Sequence, residues 1–237
     1  MQKLMGAMRK AIQDYGMLSD GDRVAVGVSG GKDSLALLAG LAGLRDYIGI
    51  DYQVVGITID MGNPKVPTPD WGRVEAFCRA LGVPYQVKRT EIGDIIFNVR
   101  KEKNPCSLCA RMRRGSLHDA AKAAGCNKVA LGHHKDDAVE TFFMNLFNEG
   151  RLGCFQPVTY LSRKDLTVIR PLVLADEFLV SSAARRLDFP VVKSSCPVDG
   201  HTNRERMKEY IRQQERLDHG FKDRIFGAIC RAHLDGF

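Results

Sequence analysis

The sequence has no apolar run long enough to cross a bilayer. The longest, Leu35 to Leu44, falls well short of the roughly 20 residues a spanning helix needs. Lys3, Arg9 and Lys10 stand near the N-terminus with no apolar block behind them, so no export signal is expected. No low-complexity tract and no internal repeat appears. Charged residues make up 27% against 44% hydrophobic, a balance that supports a buried core and argues against disorder. The expected setting is cytoplasmic, with no membrane partner. The seven cysteines are an odd number and do not suit a closed disulfide framework. In a reducing compartment, clustered thiols point instead to metal or redox chemistry.

The 237 residues fit one large domain or a domain with an appendage. A net charge of +7 is compatible with a polyanionic partner such as nucleic acid, and equally with plain solubility.

Residues 1–15 read as an amphipathic helix with Met5, Met8, Ile12 and Tyr15 on one face, packing on the core or on a second subunit of a homodimer. Strands are expected at Arg23–Val28, Tyr52–Ile59, Tyr85–Lys88 and Asn127–Leu131. Helices are expected at Lys32–Tyr47, Asp70–Leu81, Ser107–Ala124 and Lys135–Asn148. From Glu177 onward the chain reads as mainly helical. This alternation predicts an α/β fold, a doubly wound parallel sheet with helices on both faces. Ligands of such sheets bind at the carboxyl ends of the strands. The expected division is an N-terminal helix (1–20), a nucleotide-binding domain (21–200) and a C-terminal helical extension (201–237).

The first strand runs into Ser29-Gly30-Gly31-Lys32-Asp33-Ser34 and then directly into a helix. The glycines allow a tight turn and close backbone approach, the side chains supply donors, and the helix N-terminus adds N–H groups and a positive dipole end. This is a phosphate or pyrophosphate cradle. Asp33 would repel a phosphate unless a cation lay between them, which implies Mg²⁺. The Walker A spacing and the Gly-x-Gly-x-x-Gly pattern are both absent.

The Ser-Gly-Gly-Lys-Asp-Ser run resembles the signature of the PP-loop ATP pyrophosphatases. That resemblance implies a Rossmann-like sheet and cleavage of ATP between its α and β phosphates. AMP passes to a carbonyl oxygen of the substrate, and the loop holds the departing pyrophosphate.

Cys106 and Cys109 stand two residues apart at the start of a predicted helix, a spacing that suits a metal, a cluster or a redox pair. The helix N-terminus favours their thiolates. Cys196 lies far off in sequence and can supply a third. Cys78, Cys126, Cys154 and Cys230 read as single thiols, mostly core. Pro105–Gly115, Leu131–Asn148 (with Gly132-His133-His134-Lys135-Asp136-Asp137 and Glu140-Thr141) and Ile169-Arg170-Pro171-Leu172 resemble segments of the tRNA 2-thiocytidine synthetase family. The likeness implies a 4Fe–4S cluster on Cys106, Cys109 and Cys196, with one iron left open to carry sulfur. A Cys₃His zinc site using His201 is the main alternative, and a persulfide on Cys109 or Cys196 a variant. The family's second Cys-x-x-Cys-Gly is missing around Cys196, as are the zinc fingers of the 2-thiouridine enzymes.

By the same resemblance Asp137 and His133 belong at the ATP site, and Asp60 at the adenosine. The expected catalytic set is Lys32, Asp33, Asp137, Cys109 and Cys196. Ser29, Gly30, Gly31 and Ser34 complete the nucleotide cradle. Arg111, Arg113, Arg114 and Arg170, with Arg204 and Arg206, suggest a track for an RNA backbone. The implied activity is ATP-dependent replacement of the C2 oxygen of a tRNA base, cytidine foremost, by sulfur from a cysteine desulfurase or free sulfide. Thiolation of another base or of a small molecule, and a zinc-containing RNA-binding module, are the competing readings.

Overall fold

The structure is a computed structural model and describes residues 1–65, 68–101, 105–192, 196 and 203–237. The alternative zinc ligand His201 lies outside the described residues, and so does most of the segment that carries Cys196.

Helix α1 (Gln2–Asp14) leads into strand β1 (Asp22–Gly27), α2 (Lys32–Leu44), β2 (Tyr52–Asp60), α3 (Gly72–Ala80) and β3 (Tyr85–Arg89). A short α4 (Ile92–Asp94) continues into a π turn at Ile95–Val99. There follow α5 (Pro105–Ala123), β4 (Lys128–Ala130), α6 (Lys135–Glu149), β5 (Val158–Leu161), β6 (Leu166–Ile169), α7 (Glu177–Arg186), α8 (Asn203–Leu217) and α9 (Phe221–Arg231). The six strands form one sheet in the order β3-β2-β1-β4-β6-β5. Chain order reverses between β1 and β4, and the carboxyl ends of both strands open onto the same edge. No described helix is long and apolar enough to cross a membrane.

The sheet departs from the wholly parallel expectation at one edge. β5 and β6 pair antiparallel, joined by a turn in which Asp165 adopts a positive φ of 46°. These are two four-residue strands, too short to show a clear alternation in the sequence. Antiparallel edge strands are common on sheets of this kind.

The buried face of α1 is Leu4, Met8, Ala11 and Ile12; of the expected stripe, Met8 and Ile12 are fully buried, and Met5 and Tyr15 are partly buried against the same core. Met8 is drawn in by Gly40 of α2: a Cβ there would meet Met8 Sδ at 2.3 Å, so only glycine permits this approach. The apolar face of α1 is thus spent on the chain's own core and is not left over for a second subunit. Helix α2 is buried on nearly every side, which its run of Leu and Ala anticipates. Ile211, Phe226, Ile229 and Phe237 from the C-terminal elements join the same core as α1 and α2.

Candidate active site at the carboxyl edge of the sheet

The Ser29–Ser34 turn is held from within. Ser34 Oγ accepts from the Ser29 N–H at 3.1 Å and donates to the Gly31 carbonyl at 2.9 Å, while the Ser29 and Ser34 hydroxyls lie 3.2 Å apart. Gly30 has φ +81°, and a Cβ there would meet Val192 Cβ at 2.9 Å and Trp71 Cζ3 at 3.0 Å. Both its conformation and its surroundings therefore require glycine. The loop opens α2 with Gly31 as N-cap, leaving the first-turn N–H groups of that helix at the edge.

The second half of the site is the start of α6. A Cβ on Gly132 would stand 3.1 Å from the Asp33 carbonyl, so the Gly-His-His-Lys-Asp-Asp segment packs directly on the phosphate loop. His134 is buried and caps α6 in a reciprocal box: its N–H donates to Asp137 Oδ2 at 2.9 Å and its Nδ1 accepts from the Asp137 N–H at 3.4 Å. The opposite nitrogen faces Asp33 Oδ1 at 3.9 Å. The cap is His134 and not Asp136. Asp136 instead accepts the Glu177 N–H at 2.7 Å and the Lys222 ammonium at 2.5 Å. Burial would raise the Asp136 carboxyl, but Lys222 and that N–H more than offset it and hold it low.

Lys32 of the loop is shared by two carboxylates, Asp33 Oδ1 at 2.9 Å and Glu177 Oε1 at 3.0 Å. Burial pulls its ammonium down, yet Asp33 and then Glu177 outweigh burial and raise it. Helix α8 supplies two more cations. Arg204 Nη1 lies 2.8 Å from Asp137 Oδ1, and Lys208 Nζ lies between Glu140 (3.9 Å) and Glu177 (4.0 Å). Arg204 is thus committed to carboxylates and does not belong to an exposed RNA track. Glu140 is 3% exposed. Burial, reinforced by Asp137, pushes its carboxyl up to about 8 against the opposing pull of Lys208 and Arg204.

At the end of β4, His133 packs on the Phe155 ring at 5.1 Å, and the Arg170 guanidinium lies over the same ring at 5.1 Å. Burial lowers the His133 imidazole to about 4; Asp137 resists, while Arg170 and Arg204 add to the lowering. The ring is therefore neutral, and its buried Nδ1 has no hydrogen-bond partner among the described residues. Arg170 is pulled down to about 10 by burial, with Arg114 contributing, and it donates to the Gln156 carbonyl. Arg111, Arg113 and Arg114 are exposed on α5, while Arg170 is folded back onto Phe155. Asp60, at the end of β2, is buried and accepts the Gly62 N–H at 3.1 Å.

β3 leaves the sheet at its carboxyl edge and α5 returns to the start of β4, so the first turns of α5 stand at the edge that carries the phosphate loop. Cys106 lies there exposed, and Cys109 is half-buried. The Cys109 thiol is raised by burial; Arg113 opposes, and Cys196 and then Cys106 raise it further. Cys109 thus feels both Cys196 and Cys106 electrostatically. Among the described residues, no three His, Cys, Asp or Glu side chains are close enough together to hold a metal ion. The three thiols fit a three-thiolate cluster in number and chemistry, but their arrangement does not form a ligand set. Cys78 and Cys126 are buried, whereas Cys154 and Cys230 are only partly so.

Glu177, Lys208 and Phe155 escape a reading of motifs alone, and Glu140, though within the family-like α6 segment, carries no role there. Lys32 and Glu177 are 145 residues apart in sequence, and nothing local to either announces the pair.

A phosphate-cradling turn at the switch point of such a sheet defines a nucleotide-binding α/β domain. The PP-loop domain family matches residues 2–215. A tRNA-cytidine(32) 2-sulfurtransferase of Geobacter sulfurreducens is 40% identical over 231 residues, covering 96% of this chain and 89% of the relative. The enzyme of that name from Methylobacillus flagellatus is 34% identical over 96% of this chain and 75% of its own length. Among solved structures, the U34-tRNA thiolase NcsA from Methanococcus maripaludis with its [4Fe-4S] cluster superposes with a TM-score of 0.80 at 26% identity, covering 98% of this chain and 78% of that one. The NAD⁺ synthetase of Burkholderia pseudomallei, at 13% identity and a TM-score of 0.51, shares the fold. The chain belongs to the PP-loop family and, within it, to the tRNA 2-thiocytidine synthetases.

Proposed function

We propose that the protein is an ATP-dependent tRNA sulfurtransferase that converts cytidine 32 of tRNA to 2-thiocytidine. One observation supports the reading: the Ser29–Ser34 phosphate loop at the carboxyl edge of the sheet has the entry of α6, with His133, His134 and Asp137, packed directly on it. The relatives' names support the substrate.

On this reading the N–H groups of the loop and Lys32 hold the β and γ phosphates and stabilise the charge that develops on pyrophosphate. The C2 oxygen of the base attacks the α-phosphorus, and the bond to the β-phosphate oxygen breaks. Asp33 and Asp137 are the carboxylates placed to hold Mg²⁺ beside the phosphates. Neutral His133 offers an uncharged hydrogen-bond partner to the nucleotide, and Asp60 closes the adenosine side. Adenylation converts a poor leaving group into AMP, which departs with the original C2 oxygen when sulfide bonds to C2. A 4Fe–4S cluster on Cys106, Cys109 and Cys196 supplies, when bound, an iron free of protein ligands at which sulfide can be carried. Exposed Arg111, Arg113 and Arg114 meet the RNA backbone, and the base enters unstacked, as a loop nucleotide can at low cost. The sulfur originates from a cysteine desulfurase or from free sulfide. Mass spectrometry of tRNA nucleosides from a strain lacking the gene tests this: 2-thiocytidine disappears and returns with the wild-type gene, and an unchanged nucleoside profile contradicts it.

A further inference from the structure

The carboxylate of Glu177 stands between two cations from opposite sides of the site. Its Oε1 lies 3.0 Å from Lys32 of the phosphate loop and 4.0 Å from Lys208 of α8. Its main chain is fixed, because the Glu177 N–H donates to Asp136 Oδ2 at 2.7 Å. A cavity of about 180 Å³ adjoins the side chain toward α8, lined among others by Asp136, Glu140, Lys208 and Lys222.

We infer that Glu177 is a positioning residue that exchanges partners on nucleotide binding, releasing Lys32 to the phosphates and closing on Lys208. Without ligand, Lys32 is neutralised by Asp33 and Glu177 together. A phosphate arriving at Lys32 must outcompete Glu177 or share the cation at a cost in like-charge repulsion. Rotation of the carboxylate into the cavity relieves that repulsion and shortens the contact to Lys208. Lys208 then has two carboxylates, Glu140 and Glu177, and α8 is drawn onto the loop.

This inference rests on the reading of Ser29–Ser34 as a phosphate cradle. It is tested by calorimetric titration of the full-length protein with inorganic pyrophosphate in excess magnesium chloride. Removing the competitor in Glu177→Gln tightens binding by about fivefold, the scale of a partly exposed ion pair. Lys208→Met, which takes away the alternative partner, weakens binding in the wild type and changes nothing when Gln stands at 177. Pyrophosphate slows amide exchange in α8 of the wild type and not of Glu177→Gln. Equal or weaker binding by Glu177→Gln, or the same loss from Lys208→Met in both backgrounds, overturns the exchange while leaving the cradle intact. Absence of pyrophosphate binding by the wild type refutes the cradle itself.

Discussion

The Arg204 guanidinium donates to Asp137 Oδ1 at 2.8 Å and reaches Glu140 Oε2 at 3.5 Å, tying the first turn of α8 to the first turns of α6. Even so, Glu140 carries a carboxyl raised to about 8, because burial and Asp137 outweigh the two cations.

That raised value sets a direction for stability against pH. A folded-state pKa above the unfolded one stabilises fully below the unfolded value, near 4.5, and the contribution is lost as pH rises toward about 8. Glu140→Gln has no such loss. Its melting temperature relative to the wild type therefore climbs from pH 5 to pH 8.5, the gap widening by about 3 °C or more. A gap that stays constant across this range contradicts the assignment.

Lys32 is the cation of the phosphate loop. Lys32→Ala is expected to lower ATP-dependent thiolation by about 10²–10³-fold, the cost of removing one group that stabilises developing charge. Its melting temperature should move little, because the lost ion pairs are partly exposed. Steady-state kinetics and a thermal melt check both statements.

The thiols divide into two groups. After anaerobic reconstitution the wild type binds about four irons per chain. Cys106→Ser, Cys109→Ser and Cys196→Ser each lose most of that iron and all thiolation, while pyrophosphate binding persists. Cys230→Ser keeps its iron. Iron and sulfide analysis reads the outcome, and a stoichiometric zinc content in its place would favour the Cys₃His alternative.

Phe237 packs edge-on against Phe226 at 5.7 Å and Tyr15 at 6.4 Å, and touches Phe155 at 6.0 Å, the ring that carries His133 and Arg170. Phe237→Ala should cost about 3 kcal/mol in urea denaturation, as for other buried aromatics. It should also raise the KM for ATP through the Phe155–His133 contact, a change that Phe237→Leu largely restores.

What was legible in the sequence has a common cause. The loop from Ser29 to Ser34, the α6 entry and the cysteine pair are local patterns, each set within one βα unit. Their chemistry follows from neighbours in the chain. The alternation of strands and helices likewise announced the sheet, because parallel strands need crossover helices. The β5–β6 hairpin was missed because four-residue strands carry no periodic signal. The face of α1 was legible in outline, since Met8 and Ile12 are buried and Met5 and Tyr15 pack against the core, while the burial of Leu4 and Ala11 depends on contacts with other elements. Glu177, Lys208 and Arg204 carry no motif at all, and their roles arise only when α7 and α8 fold back on α6.

The central claim is that ATP activation and sulfur delivery meet on one base. The most direct measurement incubates anaerobically reconstituted protein with unmodified tRNA, ATP–Mg²⁺ and sulfide, then digests the RNA and quantifies nucleosides by mass spectrometry. The account predicts 2-thiocytidine at position 32, formed with one AMP and one pyrophosphate per sulfur. Release of AMP and pyrophosphate without any thionucleoside, from protein that has retained its iron, would contradict it.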